Sequence, residues 1–416
     1  MLIDQFFSAM ESFFDSFITN CKDLNQHPNL MMELADCRRK YLTLNCLHAI
    51  FESLRRLLFE APNLVRLNDS RMNYHFFGDI HGSLSDLIFL WDTFWRDSNK
   101  IEQNHFVFLG DYVDRGIHGL EVSVFLLTIK IRNPKNFTIL RGNHEFFNMN
   151  YYSLLPEMQI KYGNELGYQM WTRLNDCFAL LPYAAIVYNN IFCCHGGIPK
   201  HLRKMEEIES IPKSLADIEE DSVAFQLLWN DFYTRDLLLR TNEFYREPRY
   251  FSPNVTRGAG FMIGNRAVER FLRRFQLSYI VRGHDFMACE QNGYDYIELS
   301  NGAVFTLFTN SSYTGSINNT AYLHVNIQLE NVKIFPLVLE SEEFFNKSEM
   351  IENDAELVAM KFKDPYSEQS NLIRQQSQQS QIRIDRRIEE PIPKIRNLAK
   401  SRSRRKRKKY RTTLNV

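Results

Sequence analysis

Between about residue 73 and residue 336, short apolar runs that read as strands alternate with stretches of helical period, and several strands end in glycine and polar residues. NYHFFGDIHG, NHFVFLGDYVDRG, NFTILRGNHE, NIFCCHGG and LSYIVRGH are examples. Between the first two, SLSDLIFLWDTFWR puts Leu84, Leu87, Ile88, Trp91 and Trp95 on one helical face. Between the next two, GLEVSVFLLTIKIR does the same with Val122, Phe125, Leu126 and Ile129. This alternation predicts right-handed βαβ crossovers and a largely parallel first sheet. The polar clusters then fall at the carboxyl ends of strands, where such sheets bind ligands.

Later, GAVFTLFT, TAYLHVNIQL and VKIFPLVLE, separated by polar turns such as NSSYTGSINN, predict an antiparallel second sheet that completes an α/β sandwich. Before about residue 70 the pattern is helical, as in CRRKYLTLNCLHAIFESLRRLLFEA. The opening MLIDQFFSAMESFFDSFITN reads as an amphipathic helix packed on the domain; its Asp4, Glu11 and Asp15, with no basic residue, argue against a secretory signal. No apolar run reaches transmembrane length. After about Glu340 the polar, low-complexity SEQSNLIRQQSQQSQIR reads as a flexible linker. The expected organisation is a helical extension over 1–70, a catalytic domain over 71–340, and a linker with a tail over 341–416.

The 416 residues are 44% hydrophobic and 13% aromatic, enough for a sizeable core and unlike a disordered chain. Seven cysteines form no CxxC pair and read as reduced, mostly core thiols of a cytosolic or nuclear protein. The net charge of zero hides an asymmetry: residues 394–411 hold 11 of the 50 basic residues and no acidic one, leaving 39 against 50 elsewhere. The body is therefore acidic and disfavours nucleic acid as its ligand. The tail segment KSRSRRKRKKYR resembles a nuclear-import signal that binds import factors, with nucleic acid or an acidic membrane as its other uses. A nuclear or cytoplasmic location is expected.

Three turns, Gly78-Asp79, Gly110-Asp111 and Gly142-Asn143, recur at intervals of 32 residues, each after an apolar strand. Glycine lets the backbone turn sharply, and the next residue projects an oxygen ligand. His81 follows Asp79 by two, Asp114 and Arg115 follow Asp111, His144 follows Asn143, and His195 and His284 end later strands beside glycines. Three imidazoles, two carboxylates and an amide carbonyl suit two transition-metal ions. Six ligand residues are too few for two isolated sites, so one carboxylate is shared, and Asp111 is the natural bridge.

GDIHG, GDYVDRG, RGNHE, CCHGG and VRGH resemble, in order and spacing, the motifs of the phosphoprotein phosphatase family of serine/threonine phosphatases, over about residues 73–330. IFCCHGG is most similar to the type-1 group, while the long N-terminal extension and altered loops mark a divergent member. The resemblance implies a metallophosphoesterase-type β-sandwich of mixed sheets flanked by helices, with manganese, iron or zinc as the metals. Asp79, His81 and Asp111 would hold the first ion; Asp111, Asn143, His195 and His284 would hold the second. It further implies a metal-bridging hydroxide that attacks phosphorus in line, with His144 as general acid oriented by Asp114. Arg115, Arg257 (in NVTRGAG), Asn143 and Tyr313 (in TNSSYTG) would contact substrate, and Asp231 (in LLWND) would support the ligands from behind. Phosphoproteins are the expected substrates and regulatory subunits the expected partners.

The chain departs from the commonest family pattern at Ser83, at Phe146-Phe147, at Phe232 and at Thr314. Two other readings stand beside the main one: a metallophosphoesterase acting on nucleotides or small phosphate esters, and a catalytically silent scaffold that binds phosphoproteins.

Overall fold

The computed structural model describes residues 1–20, 30–213, 215, 217–234, 247–314, 316–326 and 333–339. The polar linker and the basic tail expected over 341–416 lie outside the described residues.

Among the described residues sixteen strands run in chain order. They are β1 (Leu64–Leu67), β2 (Asn73–Phe77), β3 (Asn104–Phe108), β4 (Phe137–Ile139), β5 (Ala184–Val187), β6 (Ile191–Cys194), β7 (Asp231–Phe232) and β8 (Phe251–Pro253). They continue as β9 (Phe261–Ile263), β10 (Tyr279–Arg282), β11 (Tyr294–Leu299), β12 (Gly302–Leu307), β13 (Ser312–Tyr313), β14 (Ser316–Ile317), β15 (Thr320–Asn326) and β16 (Lys333–Leu339).

Two sheets form the sandwich: a five-stranded one in the order β16-β15-β2-β3-β4 and a six-stranded one in the order β1-β5-β6-β10-β12-β11. Strands β2, β3 and β4 pair in parallel, as their helical crossovers require. Alternation along each strand divides the core into layers. Tyr74, Phe76, Val107 and Leu109 point inward to meet Val187, Cys193, Val281 and Phe305 of the other sheet. Phe77, Phe106, Phe108 and Phe137 point outward to helices, while Phe192, Ile280 and Val304 face the helices on the far side.

The second sheet differs from the antiparallel one expected. β12 pairs in parallel with β10, so GAVFTLFT joins a mixed sheet with the mid-chain strands β5, β6 and β10. TAYLHVNIQL and VKIFPLVLE instead extend the first sheet, antiparallel, through β15 and β16. A run of strand-like composition specifies pairing ability, not partner; here the apolar faces of β12 and β15 find different sheets across the shared core.

The chain before the sandwich forms α1 (Leu2–Asn20), α2 (Leu30–Tyr41) and α3 (Leu44–Leu58). Phe6, Phe7, Met10, Phe13, Phe14 and Phe17 recur along α1 on one buried face. The Phe7 ring stacks on Phe125 at 5.1 Å, and Phe14 meets both Phe125 and Trp91. Arg38 of α2 donates to buried Glu121, to which Lys161 also donates. These contacts explain why the helix Gly119–Arg132 is buried on every side through Ile129 and not only along the stripe read from its period. Of the seven cysteines, the six described are unpaired and buried. Among the described residues no helix is long and apolar enough to cross a membrane.

Candidate active site

The site forms where the carboxyl ends of β2, β3 and β4 face those of β6 and β10. Each polar turn there is shaped by a glycine against a neighbour. A Cβ on Gly78 would strike the backbone of Leu307, one on Gly142 the Asp111 carboxylate, and one on Gly283 the Asp79 carboxylate. His81, Asp111, Asp114, Arg115 and His284 all hold left-handed backbone, with φ between 46° and 75°. Such conformations cost free energy in non-glycine residues and persist where surrounding contacts enforce them.

Those contacts are specific. Buried Glu145 accepts from the backbone N–H of Asp111, Tyr112 and Gly142, tying the second turn to the third. His284 N–H donates to Asp79 Oδ1, and His144 N–H to Asp111 Oδ1.

The side chains converge on Asp111. Its Oδ2 lies 3.4 Å from His81 Nε2, and its Oδ1 lies 3.3 Å from His195 Nε2, so the two carboxylate oxygens face opposite lobes. Asp79 Oδ2 is 3.8 Å from His81 Nε2 in the first lobe. In the second, His195 Nε2 lies 2.7 Å from Asn143 Oδ1 and 3.1 Å from His284 Nδ1. All six predicted ligand residues are buried.

The donor chemistry fits cations. The Nδ1 atoms of His81 and His195 lie 2.8 Å from Val113 O and 3.0 Å from Leu109 O, bonds that place each Nδ1–H on a carbonyl and aim each Nε2 lone pair inward. Around His195 Nε2 there stand only an amide oxygen, a carboxylate oxygen and another imidazole nitrogen, an array that a proton or a metal ion must reconcile. Burial, with Asp111 alongside, pushes the Asp79 carboxyl up to about 7 despite His195. Two groups, His81–Asp111–His144 and Asp111–His195–His284, each bring their donor atoms within 4.8 Å of one another, and Asp111 belongs to both.

By distance His144 also stands with the first group, but its Nδ1 is 2.6 Å from Asp114 Oδ2. Burial alone would lower its pKa; the Asp111 and Asp114 carboxylates outweigh that and hold it at about 9. With Nδ1 taken by Asp114, only Nε2, 3.8 Å from Asp111 Oδ2, faces the site.

Arg115 is exposed at the rim. Arg257 is held by Asp231, whose carboxylate takes its Nε at 2.6 Å and its Nη2 at 3.2 Å. Buried Arg282 donates to Asp231 at 2.8 Å, and Asn254 at 2.7 Å. The Tyr313 ring lies 5.3 Å from His81 and packs on Phe308 and Phe286. Its hairpin, β13 with β14, turns through Thr314 at φ 54°.

Sequence reasoning named neither Glu145 nor Arg282, although both stand inside the quoted motifs RGNHE and VRGH. Three of the departures acquire roles. Ser83 caps the helix Leu84–Leu90 and donates to Asp86, which in turn accepts from Ser311 N–H at the root of the Tyr313 hairpin. Phe146 is buried beneath the Arg141 guanidinium at 3.5 Å. Phe232 packs with Arg282 and joins Asp231 in β7, parallel to β9.

A solved serine/threonine phosphatase from Saccharomyces cerevisiae, described as similar to human phosphatase PP5, is 25% identical with a TM-score of 0.61; the match covers 75% of this chain and 94% of that one. Two looser likenesses carry no argument about function. A putative diadenosine tetraphosphatase is 16% identical (TM-score 0.36, covering 66% of this chain and 98% of that one). A cold-active protein-tyrosine phosphatase from a psychrophilic Shewanella species is 17% identical (TM-score 0.42, covering 67% and 82%). Residues 72–286 match the calcineurin-like phosphoesterases, and with the paired ligand groups in place the chain belongs to that family.

Proposed function

We propose that the chain is a protein phosphatase that hydrolyses phosphoserine and phosphothreonine. The observation that carries this reading is the match to the yeast serine/threonine phosphatase over 94% of that chain. The arginine pair Arg115 and Arg257 beside the ligand cluster agrees with it.

Asp79, His81 and Asp111 would hold one metal ion, and Asp111, Asn143, His195 and His284 the other, drawn from manganese, iron or zinc. When bound, the pair supplies a nucleophile at neutral pH and neutralises charge on the phosphate. Arg115 and Arg257 bind the remaining phosphate oxygens. Asp231 occupies Nε and Nη2 of Arg257, which fixes the fork and leaves its other N–H donors for the substrate. Asn143 and Tyr313 line the same space. Protonated His144 gives its Nε2 proton to the departing serine or threonine oxygen, and Asp114 keeps Nδ1–H in place throughout.

The test compares turnover of a phosphoserine peptide with that of a dinucleoside polyphosphate by the metal-loaded chain. Preference for the peptide by orders of magnitude is expected. Preference for the nucleotide would overturn the reading, and loss of all turnover would favour a silent scaffold. Phosphoprotein substrates and regulatory subunits are proposed as partners on the same ground.

A further inference from the structure

We infer that an aromatic pocket next to the site, formed by Phe147, Tyr151, Tyr152 and Trp171, binds a lysine or arginine side chain of the phosphopeptide a few residues from the phosphorylated one. The inference rests on the protein phosphatase reading and specifies its substrate class.

Phe147 stands edge-to-face on Trp171 at 4.8 Å, and Tyr151 meets Tyr152 at 4.9 Å and Trp171 at 5.8 Å. With Asn148 these rings enclose about 390 Å³. Tyr151 and Tyr152 are 47% and 48% exposed, so the pocket opens to solvent. Tyr168 approaches Trp171 from the side at 5.6 Å, and exposed Glu165 lies one turn before it on the same helical face.

Ring faces attract cations, tryptophan most strongly. Among the described residues no basic one lines the pocket to oppose a cation. The acidic excess of the body favours a positive guest over an anionic one.

The pocket is tied to the site. Asn150 Nδ2 donates to His144 O at 3.0 Å, and Trp171 Nε1 donates to Asn150 Oδ1 at 2.7 Å, so one amide joins the pocket floor to the proposed acid. Phe147 follows His144 by three residues, at most about 11 Å of chain. An extended peptide crosses that distance in about three residues. Phe147, the second of the phenylalanine pair after RGNHE that departs from the family pattern, thus contributes one wall.

The experiment measures steady-state kinetics of the metal-loaded chain on p-nitrophenyl phosphate and on matched phosphoserine peptides. These carry arginine, citrulline, lysine or norleucine two to four residues from the phosphoserine. Arginine and lysine should lower KM about three- to tenfold relative to citrulline and norleucine at one position. Tyr151→Ala and Tyr152→Ala should erase that difference, Tyr151→Phe should keep it, and p-nitrophenyl phosphate turnover should stay unchanged in all three. Equal KM for charged and uncharged peptides, or an advantage that survives both alanine variants, would overturn the inference. Turnover of p-nitrophenyl phosphate without turnover of any phosphopeptide would instead remove the reading beneath it.

Discussion

Asp231 grips Arg257 through two contacts, Nε to Oδ2 at 2.6 Å and Nη2 to Oδ1 at 3.2 Å, while Oδ1 also takes the buried guanidinium of Arg282. One carboxylate thus balances a structural arginine and a proposed substrate arginine. Asp231→Asn removes the carboxylate bonded to both and leaves only the more distant Asp285, 4.0 Å from Arg282, and the loss is dominated by Arg282, 1% exposed, because the side chain of Arg257 is 28% exposed and better solvated. Urea unfolding should show a loss of roughly 3 kcal/mol. Arg257→Ala keeps the Asp231–Arg282 pair, so it should raise KM for a phosphopeptide with little change in stability. An unchanged KM would exclude Arg257 from phosphate binding.

Replacing His144 by Asn should lower turnover about 10²- to 10⁴-fold. Metal content, read by elemental analysis, should match the parent protein, since the ring is held by Asp114 and lies outside the proposed ligand set. An undiminished rate removes His144 from the mechanism; lost metal makes it a ligand.

The pH profile follows from the same ring. Its pKa is raised in the fold above the ordinary value of about 6.5, so the ring stays protonated at neutral pH and loses its proton as pH rises through about 9. A reaction that needs the proton therefore fails on the alkaline side, and cations held at Asp111 would draw that limb below 9. Asp114→Asn removes one of the two carboxylates that raise the pKa, so the alkaline limb of kcat/KM should move to lower pH. A limb that stays in place would disconnect Asp114 from the acid.

Metal removal by chelation should abolish activity and lower Tm, and readdition should restore both. At metal concentrations of 100 times Kd the stabilisation is about 2.7 kcal/mol. Gly283→Ala, whose Cβ would strike the Asp79 carboxylate, should weaken metal uptake. Equal metal affinity in that variant would mean Asp79 can shift without leaving a ligand position.

Phe14 is fully buried between Phe125 and Trp91. Phe14→Ala should cost about 3–5 kcal/mol. A small loss in urea unfolding would show that α1 contributes little to the fold.

The parallel order of β2, β3 and β4 was legible because each strand, turn and helix repeats one local rule. So were the residues that crowd around Asp111, since ligand chemistry restricts residue type and glycine restricts the turn. The partner of β12 was not legible, because its apolar alternation is equally compatible with either sheet. Glu145 escaped notice for a related reason: it acts by accepting backbone N–H bonds, and any carboxylate in a turn looks alike until the turns are brought together. The grip of Asp231 on two arginines depends on Asn254 and Arg257, which lie more than twenty residues away in the chain.

Asp79, His81, Asp111 and Asn143 follow strands of the five-stranded sheet, while His195 and His284 follow strands of the six-stranded one. Ions held by all six would fasten the two halves of the sandwich along one edge. Metal capture then belongs to the closing stage of folding, after the halves have met, and the rate at which the chain takes up metal during refolding becomes a clock for their docking.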